Sequence, residues 1–503
     1  MDQSSTSWTA LCQVLALSWT AVGKPAVTVF ETHRPEVILG MTTLSTVKAG
    51  RGLPPSAPVS GRSASERAWS VGIVIGANAV VTIGLWFRHG GFTTLHQPGG
   101  AFTAVGQLAG LAGTYAVLVQ VLLMSRIGWL ERCIGLDRLA AWHRWNGFAS
   151  VSLLVAHAVF ITLGYADSSG QSIVMQSGDF VRHYPDVLMS IVGLALFLTA
   201  AATSVRAARR RLSREAWYSV HLYSYLAVAL SFAHQLAVGN DFIDDPLARA
   251  WWVGLYLAVV GAILSWRVAR PIWFNAHHRL RIRSVRHEAD GVFSLYISGR
   301  HLDSVRAQAG QFFLWRFADE SLRATAHPFS LSAAPNKDFL RITVKGLGDH
   351  SRRLQHLRPG TRVFAEGPYG TFTSQRRTRP RVALVAGGIG ITPLRALLEV
   401  MPGAPGDIAL LYRAAGKGDV AFAKELRTLA DRRGIEVHYL IGTDIGDDQT
   451  DQLGVPAIRR LIPDIAKRDV FVCGPPAMLR AVRRRLRALH VPLAQIHFER
   501  FEY

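Results

Sequence analysis

Six apolar segments constrain this chain more than any other feature. They cover about residues 69–87, 101–124, 142–165, 187–203, 217–238 and 251–268, each close to the ~20 residues that a helix needs to cross hydrocarbon. Arginines orient them. Arg126, Arg132, Arg138 and Arg144 fall between the second and third segments; Arg206, Arg209, Arg210, Arg211 and Arg214 fall between the fourth and fifth; Arg267 and Arg270 follow the sixth. The opposite connections hold little beyond Arg88 and Arg182. Because basic residues stay on the cytoplasmic side, both chain ends are expected in the cytoplasm, and everything after Pro271 forms a cytoplasmic module. A multi-pass protein of the cell membrane, surrounded by lipid, is the expectation.

The 503 residues exceed one ordinary domain, so two or three are expected. The formal net charge of +21 fits an inner membrane face, since the arginines cluster beside apolar runs; no nucleic-acid recognition motif accompanies them, and nucleic acid is not an expected partner. Only Cys12, Cys133 and Cys473 occur, with no CxxC pair. This chain alone therefore builds neither a disulfide framework nor a cysteine-held iron–sulfur cluster, and a one-electron carrier needs other ligands. Residues 1–64 read as a poorly ordered tail. Their apolar stretch around Leu11 to Val22 is short and interrupted, and the start Met1-Asp2-Gln3 lacks the basic residues of a signal peptide.

Four histidines lie inside the spans, His143 and His157 in the third, His221 and His234 in the fifth. A histidine in a bilayer needs a partner and is a candidate for function, although any one alone is equally well a hydrogen-bonding group of the bundle. At ~1.5 Å and ~100° per residue, the spacing of His143 and His157 puts both on nearly one face ~21 Å apart, which accommodates two stacked haems. His221 and His234 come out ~19.5 Å apart but ~140° around the helix, so a tightened turn, a kink or tilted haems are expected there. The two helices run the same way across the membrane, which pairs His143 with His221 near the cytoplasm and His157 with His234 near the outside. An iron with two axial imidazoles has no open position and suits electron carriage. Arg138 and Arg144 are candidates for propionate contacts. His89, His96 and His183 lie in outward loops, placed either to meet an acceptor or simply to be solvated.

After Pro271 the pattern changes. Leu280-Arg-Ile-Arg-Ser-Val285 and Val292-Phe-Ser-Leu-Tyr-Ile297 alternate on either side of a turn, predicting antiparallel strands and a small barrel to about Thr373. A flavin site needs a strand edge, a small hydroxyl near N5 and backbone amides for the pyrophosphate. The run His327-Pro-Phe-Ser330 supplies these features: Ser330 carries the hydroxyl, Pro328 stiffens the strand, and His327 and Phe329 flank it. Asp349-His-Ser-Arg352 starts a helix whose amides meet a phosphate; Lys345, Gly348, His350 and Ser351 complete the expected flavin set. Glu366-Gly-Pro-Tyr-Gly370 follows. A lone HPFS run would also suit an ordinary barrel turn.

Past the basic break Arg376 to Arg381, the run Val382-Ala-Leu-Val-Ala386 reads as a buried strand entering Gly387-Gly-Ile-Gly-Ile-Thr-Pro393. There Gly387, Gly388 and Gly390 let the backbone approach a dinucleotide phosphate, and Thr392 and Pro393 open a helix. Strands at Ile408 to Tyr412 and Asp469 to Cys473 complete a nucleotide-binding α/β pattern. Cys473, Gly474 and Pro475 place a small thiol where a nicotinamide ring would lie, although a cysteine elsewhere is usually just buried. Arg413, helped by Arg427, favours NADPH, with NADH as the alternative. The chain ends Ile496-His-Phe-Glu-Arg-Phe-Glu-Tyr503, and either Phe501 or Tyr503 is placed to cover the flavin.

In this order, the paired histidines, HPFS, GGIGITP and CGPP make the chain from about Trp69 to Tyr503 resemble the ferric reductase and NADPH oxidase superfamily, a six-span haem domain joined to a ferredoxin–NADP reductase-like module. The resemblance implies a mixed fold: an all-α six-helix transmembrane haem bundle (65–272), an antiparallel β-barrel FAD domain (277–375) and an α/β NAD(P)H-binding domain (380–503), behind the tail 1–64. It implies that His143, His157, His221 and His234 ligate two b-type haems, that Ser330 and its neighbours hold FAD, and that the Gly387 and Cys473 loops bind NADPH. His327 stands where soluble ferredoxin reductases carry arginine, a substitution usual in the haem-linked branch. The HFERF ending resembles flavohaemoglobin-type reductases and points to Phe501 as the stacking residue, whereas plain ferredoxin reductases end on it, which points to Tyr503. No EF-hand is present, so calcium control is not indicated. The implied activity carries a hydride from NADPH to FAD and single electrons through both haems to an extracytoplasmic acceptor. Oxygen, giving superoxide, is favoured because the outer loops show no carboxylate cluster for iron. The alternatives are a ferric chelate, a protein redox partner, and a flavin reductase merely anchored by its helices.

Overall fold

The computed structural model describes residues 64–320, 322, 325–442 and 451–499, so the expected tail over 1–64, apart from Ala64, which begins the first helix, and the aromatic candidates Phe501 and Tyr503 lie outside the described residues. Every element below belongs to the compact unit Arg62–Tyr503. Helices come first: α1 (Ala64–Arg88), α2 (Gly100–Leu123), α3 (Gly128–Ile134), α4 (Leu136–Ser169), α5 (Ile173–His183), α6 (Val187–Ser204), α7 (Arg214–Val238) and α8 (Pro246–Ile263). α8 continues through a widened turn, Leu264–Ala269, into α9 (Arg270–His278). The wider turn lies just before Pro271, whose ring nitrogen cannot donate to the preceding turn.

Among the described residues, five helical stretches are long and apolar enough to cross a membrane: Trp69–Arg88, Gly100–Leu123, Arg138–Ser169, Val187–Ser204 and Pro246–His278. α7, expected as the fifth of six spans, has 25 residues. It falls outside this group because Glu215, His221, His234, Gln235 and three tyrosines dilute its apolar content. Its helix is unbroken from Arg214 to Val238, so the tightened turn expected between His221 and His234 is not there. Large apolar side chains such as Val80, Trp145 and Leu257 point outward, an arrangement unfavourable in water but not in hydrocarbon.

With no hydrophobic force between helices in lipid, close approach at small residues holds them together. A Cβ on Gly106 would lie 2.8 Å from Ile161 of α4, and one on Gly193 of α6 would lie 2.7 Å from the Ser231 hydroxyl of α7. α4 thus packs along α2 and α7 along α6, whereas α4 and α7, the two histidine helices, do not pack along one another.

The part after α9 opens with β1 (Arg281–Ala289), β2 (Val292–Ser298), β3 (Phe312–Phe317), β4 (His327–Ser330), β5 (Leu340–Lys345), the short α10 (Asp349–Arg353) and β6 (Val363–Tyr369). Where alternation predicts a small barrel, these strands form two three-stranded antiparallel sheets, β1-β2-β5 and β4-β3-β6. Isolated bridges at Arg281–Arg362 and Leu331–Ile342 join them around a shared core that includes Leu295, Phe313, Trp315 and Ile342. A parallel sheet of order β11-β10-β7-β8-β9 follows, built from β7 (Val382–Gly387), β8 (Ile408–Ala414), β9 (Glu436–Ile441), β10 (Asp469–Cys473) and β11 (Ile496–Glu499). Helices α11 (Ile391–Val400), α12 (Ala423–Arg433), α13 (Val455–Leu461) and α14 (Pro476–Ala488) alternate with the strands. β7 and β10 are buried at every position, as strands covered on both faces must be.

Candidate functional site

In the helical half, His143 of α4 and His221 of α7 face each other with ring centroids 6.0 Å apart and planes at 64°. Two imidazoles on opposite sides of one metal stand at roughly this separation, given metal–nitrogen bonds of ~2 Å. His143 Nδ1 lies 3.1 Å from the Gln120 carbonyl and His157 Nδ1 lies 2.8 Å from the Gly106 carbonyl. A carbonyl accepts only, so Nδ1 carries the proton in each ring, and Nε2 keeps the lone pair that a metal needs. His234 lies within electrostatic reach of His157, and the buried Nδ1 atoms of His221 and His234 have no hydrogen-bond partner among the described residues. The facing of His143 and His221 fits one bis-imidazole haem. Trp217 stacks on His221 at 5.0 Å.

Some residues that shape this site escaped the sequence reading. Gly110 seats His157, since a Cβ there would lie 2.6 Å from Nδ1; no spacing rule marks that glycine among the many in α2. Gln235, beside His234, accepts from both Trp252 and Tyr256 at 2.9 Å and so orients α7 against α8. Just after α1, His89 is clasped on both ring nitrogens, by Asp241 at 3.2 Å and Asp245 at 3.1 Å, and Arg88 also pairs with Asp245. Among the described residues no group of three or more ligating side chains is placed to hold a metal ion. His183 pairs with Asp179 at 2.6 Å, and His96 Nδ1 lies 3.0 Å from the Phe92 carbonyl.

The flavin-type residues converge on β3 and β4. Register pairs Phe312 with Ser330, Phe313 with Phe329, Leu314 with Pro328 and Trp315 with His327, which leaves the Ser330 side chain buried. His327 and His350 lie against each other with centroids 3.7 Å apart and planes tilted by 35°. Both His350 nitrogens are buried without a hydrogen-bond partner among the described residues, and burial, with the charges of His327 and Arg353, pulls its pKa down to about 4. Such orphaned polar atoms fit a site that a cofactor completes. Gly348 and Ser351 close the start of α10, where the Gly348 amide donates to Ser351 Oγ at 2.9 Å. Lys345, expected at the flavin, instead pairs with Asp419 at 2.9 Å, because the turn after β8 brings that carboxylate to the end of β5.

In the α/β part, two loops meet at the carboxyl ends of neighbouring strands β7 and β10, with Ala386 opposite Cys473. Gly387, Gly390 and Gly474 are required by closeness. A Cβ on Gly390 would lie 2.3 Å from the Cys473 carbonyl, and one on Gly387 would lie 2.3 Å from the Met478 sulfur. Gly388 has φ +54 and open space where a Cβ would point, which leaves backbone amides accessible to a phosphate. Thr392 donates to the Ile389 carbonyl at 3.0 Å, and Pro393 lies buried in the first turn of α11. Cys473 is fully buried, and burial raises its thiol pKa well above the ordinary value; it is a neutral, compact side chain and not a thiolate nucleophile. Gly474 and Pro475 follow it into α14. Arg413, expected to read a ribose phosphate, pairs with Asp451 at 3.2 Å and donates to the Gly442 carbonyl at 3.3 Å. Asp451 pairs with Arg485 as well, at 2.6 Å. Burial opposes ionisation of Asp451, but the Leu453 amide and the two arginines hold its pKa below the usual carboxylate range.

Comparison with known proteins accounts for this order of parts. The family model described as "Ferric reductase like transmembrane component" matches residues 109–232, the one described as "FAD-binding domain" matches 277–373, and the one described as "Oxidoreductase NAD-binding domain" matches 384–484. A flavohemoprotein of Xylella fastidiosa is 28% identical over 202 residues, covering 39% of this chain and 51% of that one. The ferredoxin reductase component of 3-ketosteroid-9-alpha-monooxygenase of Mycobacterium tuberculosis is 30% identical over 209 residues, covering 39% and 56%. This chain thus spans about half the length of those two relatives. The solved flavohem-like FAD/NAD-binding domain of nitric oxide dioxygenase from Vibrio cholerae matches 44% of this chain and 98% of that one, at 25% identity and a TM-score of 0.37. A ferric reductase-like transmembrane match followed by FAD- and NAD-binding matches is the order of parts of the ferric reductase and NADPH oxidase architecture.

Proposed function

We propose that this protein moves electrons from cytoplasmic NADPH across the cell membrane to oxygen, giving superoxide outside, with both chain ends in the cytoplasm and six spans that include α7. FAD, when bound, accepts a hydride and releases its electrons singly, and two b-type haems carry them onward. The observation that carries this reading is the pair His143 and His221, facing at 6.0 Å from helices that do not pack along each other. The residues have separable tasks. His143 and His221 hold the inner haem, and His157 and His234 the outer. Ser330 offers a hydroxyl at the flavin edge beside His327, Pro328 and Phe329, and His350 offers its free nitrogens to the same cofactor. Gly387, Gly388, Gly390, Thr392 and Pro393 cradle the dinucleotide phosphates, while Cys473, Gly474 and Pro475 leave room for the nicotinamide. Phe501 or Tyr503 covers the flavin until that ring arrives.

Oxygen is preferred to a ferric chelate because the outer carboxylates Asp241 and Asp245 are already engaged by His89 and Arg88. Arg413 makes NADPH the proposed donor over NADH, although a 2′-phosphate must share it with Asp451. The test adds NADPH or NADH to purified protein and follows haem reduction spectrally. Superoxide dismutase-sensitive cytochrome c reduction is then compared with anaerobic ferric-chelate reduction. Superoxide formation with a higher kcat/KM for NADPH is expected. Absence of haem absorbance would sink the reading, and chelate reduction without superoxide would move the acceptor to ferric iron.

A further inference from the structure

Besides the contacts of Phe274 and His278 of α9 with Phe313 and Arg300, the membrane helices grip the module at β6. On one side Asn275 of α9 bonds both backbone groups of Ala365, accepting from its amide at 2.8 Å and donating to its carbonyl at 2.9 Å. On the other side the connection between α2 and α4 meets the turn that ends β6. Arg126 forms an ion pair with Glu366; Tyr369 donates to the same carboxylate at 2.8 Å, and the guanidinium lies 5.6 Å from the Tyr369 ring centre. The Gly370 amide donates to Glu131 of α3 at 3.1 Å. Arg126 holds φ +59, a conformation uncommon for a residue with a side chain and typical of places where the fold demands it.

This grip sits between the two redox sites. β6 pairs with β3, Tyr369 opposite Phe312, and Phe312 lies opposite Ser330 on β4, so the gripped turn is two strands from the flavin hydroxyl. α3 leads through Gly135, at φ +89, into α4, and His143 lies two turns along that helix. We propose that Arg126 and Glu131 are positioning residues for electron transfer from the flavin to the inner haem, clamping the 366–370 turn onto the cytoplasmic end of the bundle. The inference rests on the electron path proposed above. Each step it serves moves one electron from reduced flavin to ferric haem, leaving ferrous haem, and the flavin proton passes to water.

The clamp also responds to pH. Glu131 is 3% exposed, and its Oε2 has no hydrogen-bond partner among the described residues. The groups that face it are Arg126 and Arg132 from its own connection, and Glu366, Tyr369 and the Gly370 amide from the module; Arg138 and Arg376 meet farther along the interface. Burial pushes its pKa up from 4.5 to about 7, with Glu366 adding to the rise and the Gly370 amide and the two arginines opposing it. Docked Glu131 therefore holds its proton between pH 4.5 and 7 while an undocked one does not, so docking weakens as pH rises through that window and levels off above it.

The test uses the full chain loaded with FAD and haem. In Arg126→Met, flavin reduction by NADPH and direct flavin-to-ferricyanide turnover are expected to stay within about twofold of the parent. Haem reduction slows by about tenfold, the change that ~1.4 kcal/mol lost from the docked state produces. Hydrogen exchange of the 366–371 amides accelerates in that variant, and Arg126→Lys restores both readouts. Glu131→Gln, which keeps the acceptor without the charge, retains the rate but loses its decline between pH 4.5 and 7, and this carries the test if Arg126→Met fails to fold. Unchanged haem reduction in Arg126→Met, equal slowing of flavin and haem reduction, or a Glu131→Gln profile that still declines would overturn the proposal. A parent protein without a dithionite-reducible haem band would instead remove the electron path beneath it.

Discussion

In the helical half, Val80, Trp145 and Leu257 face outward and the helices meet through Gly106, Gly110 and Gly193. In the module after α9, the large side chains Trp315, Phe313 and Phe471 are fully buried; its two parts meet through apolar contact such as Phe372 on Phe471 and through the pair Arg341–Glu425, and Arg395 pairs with Glu425 and Glu399 inside the second part. Burial in water gathers large apolar groups inward. Hydrocarbon gives no such force, so close contact at small residues takes its place. The consequence for function is that polar groups have different meanings in the two halves. A buried arginine in the module has an acidic partner and a structural task, whereas the histidines between α4 and α7 keep nitrogens that the described residues leave without partners.

That contrast breaks most sharply at the histidines. His143→Ala or His221→Ala should remove one of the two haems and abolish electron transfer to the outer face while flavin reduction by NADPH persists; haem content per chain and the reduced haem spectrum measure it. In the module the largest effect is on stability. Arg395→Met leaves Glu425 and Glu399 short of a partner and should cost about 3 kcal/mol, as broken buried pairs do, seen as a lower unfolding midpoint with the haem spectrum intact. Gly110→Val fills the seat of His157 and should cost about 1–3 kcal/mol through overpacking, with the outer haem selectively perturbed. Gly254→Ala, with nothing within 4 Å of the new carbon, should be silent in both assays.

The smallest of these effects is a pH dependence in the module. His350 has a pKa near 4 in the folded chain against an ordinary 6.5. As pH falls below 6.5 the unfolded chain takes up the proton first, so stability declines from pH 6.5 to about 4 and is flat above. Because the ring is only half-buried, solvent screening limits the effect to about 1 kcal/mol. Flavin-free protein should show this decline in urea midpoints, and His350→Asn should flatten it. A slope unchanged in that variant would assign it to other groups.

Much of the fold was readable because its signals are local. Apolar length and arginine bias marked the helices, alternation marked β1 and β2, and glycine-rich turns after buried strands marked the β7 and β10 loops. What local pattern left unread has a common cause. Lys345, expected at the flavin, and Arg413, expected at a ribose phosphate, each also meet a carboxylate, Asp419 and Asp451, that lies far along the chain. Charge type is visible in sequence, but the partner is not. Likewise the helical wheel asked for a tightened turn, a kink or tilted haems at α7, and the chain keeps that helix α-helical from end to end, without the tightened turn.

The sequence by itself determined which residue types could hold redox groups and in what order the parts follow, because helix spacing, strand alternation and motif chemistry act over a few residues. Only the tertiary structure decided that α4 and α7 stand apart, that Gly110 seats His157, and that Arg126 and Glu131 grip β6, because each of these depends on which surfaces meet after long stretches of chain have folded back on one another.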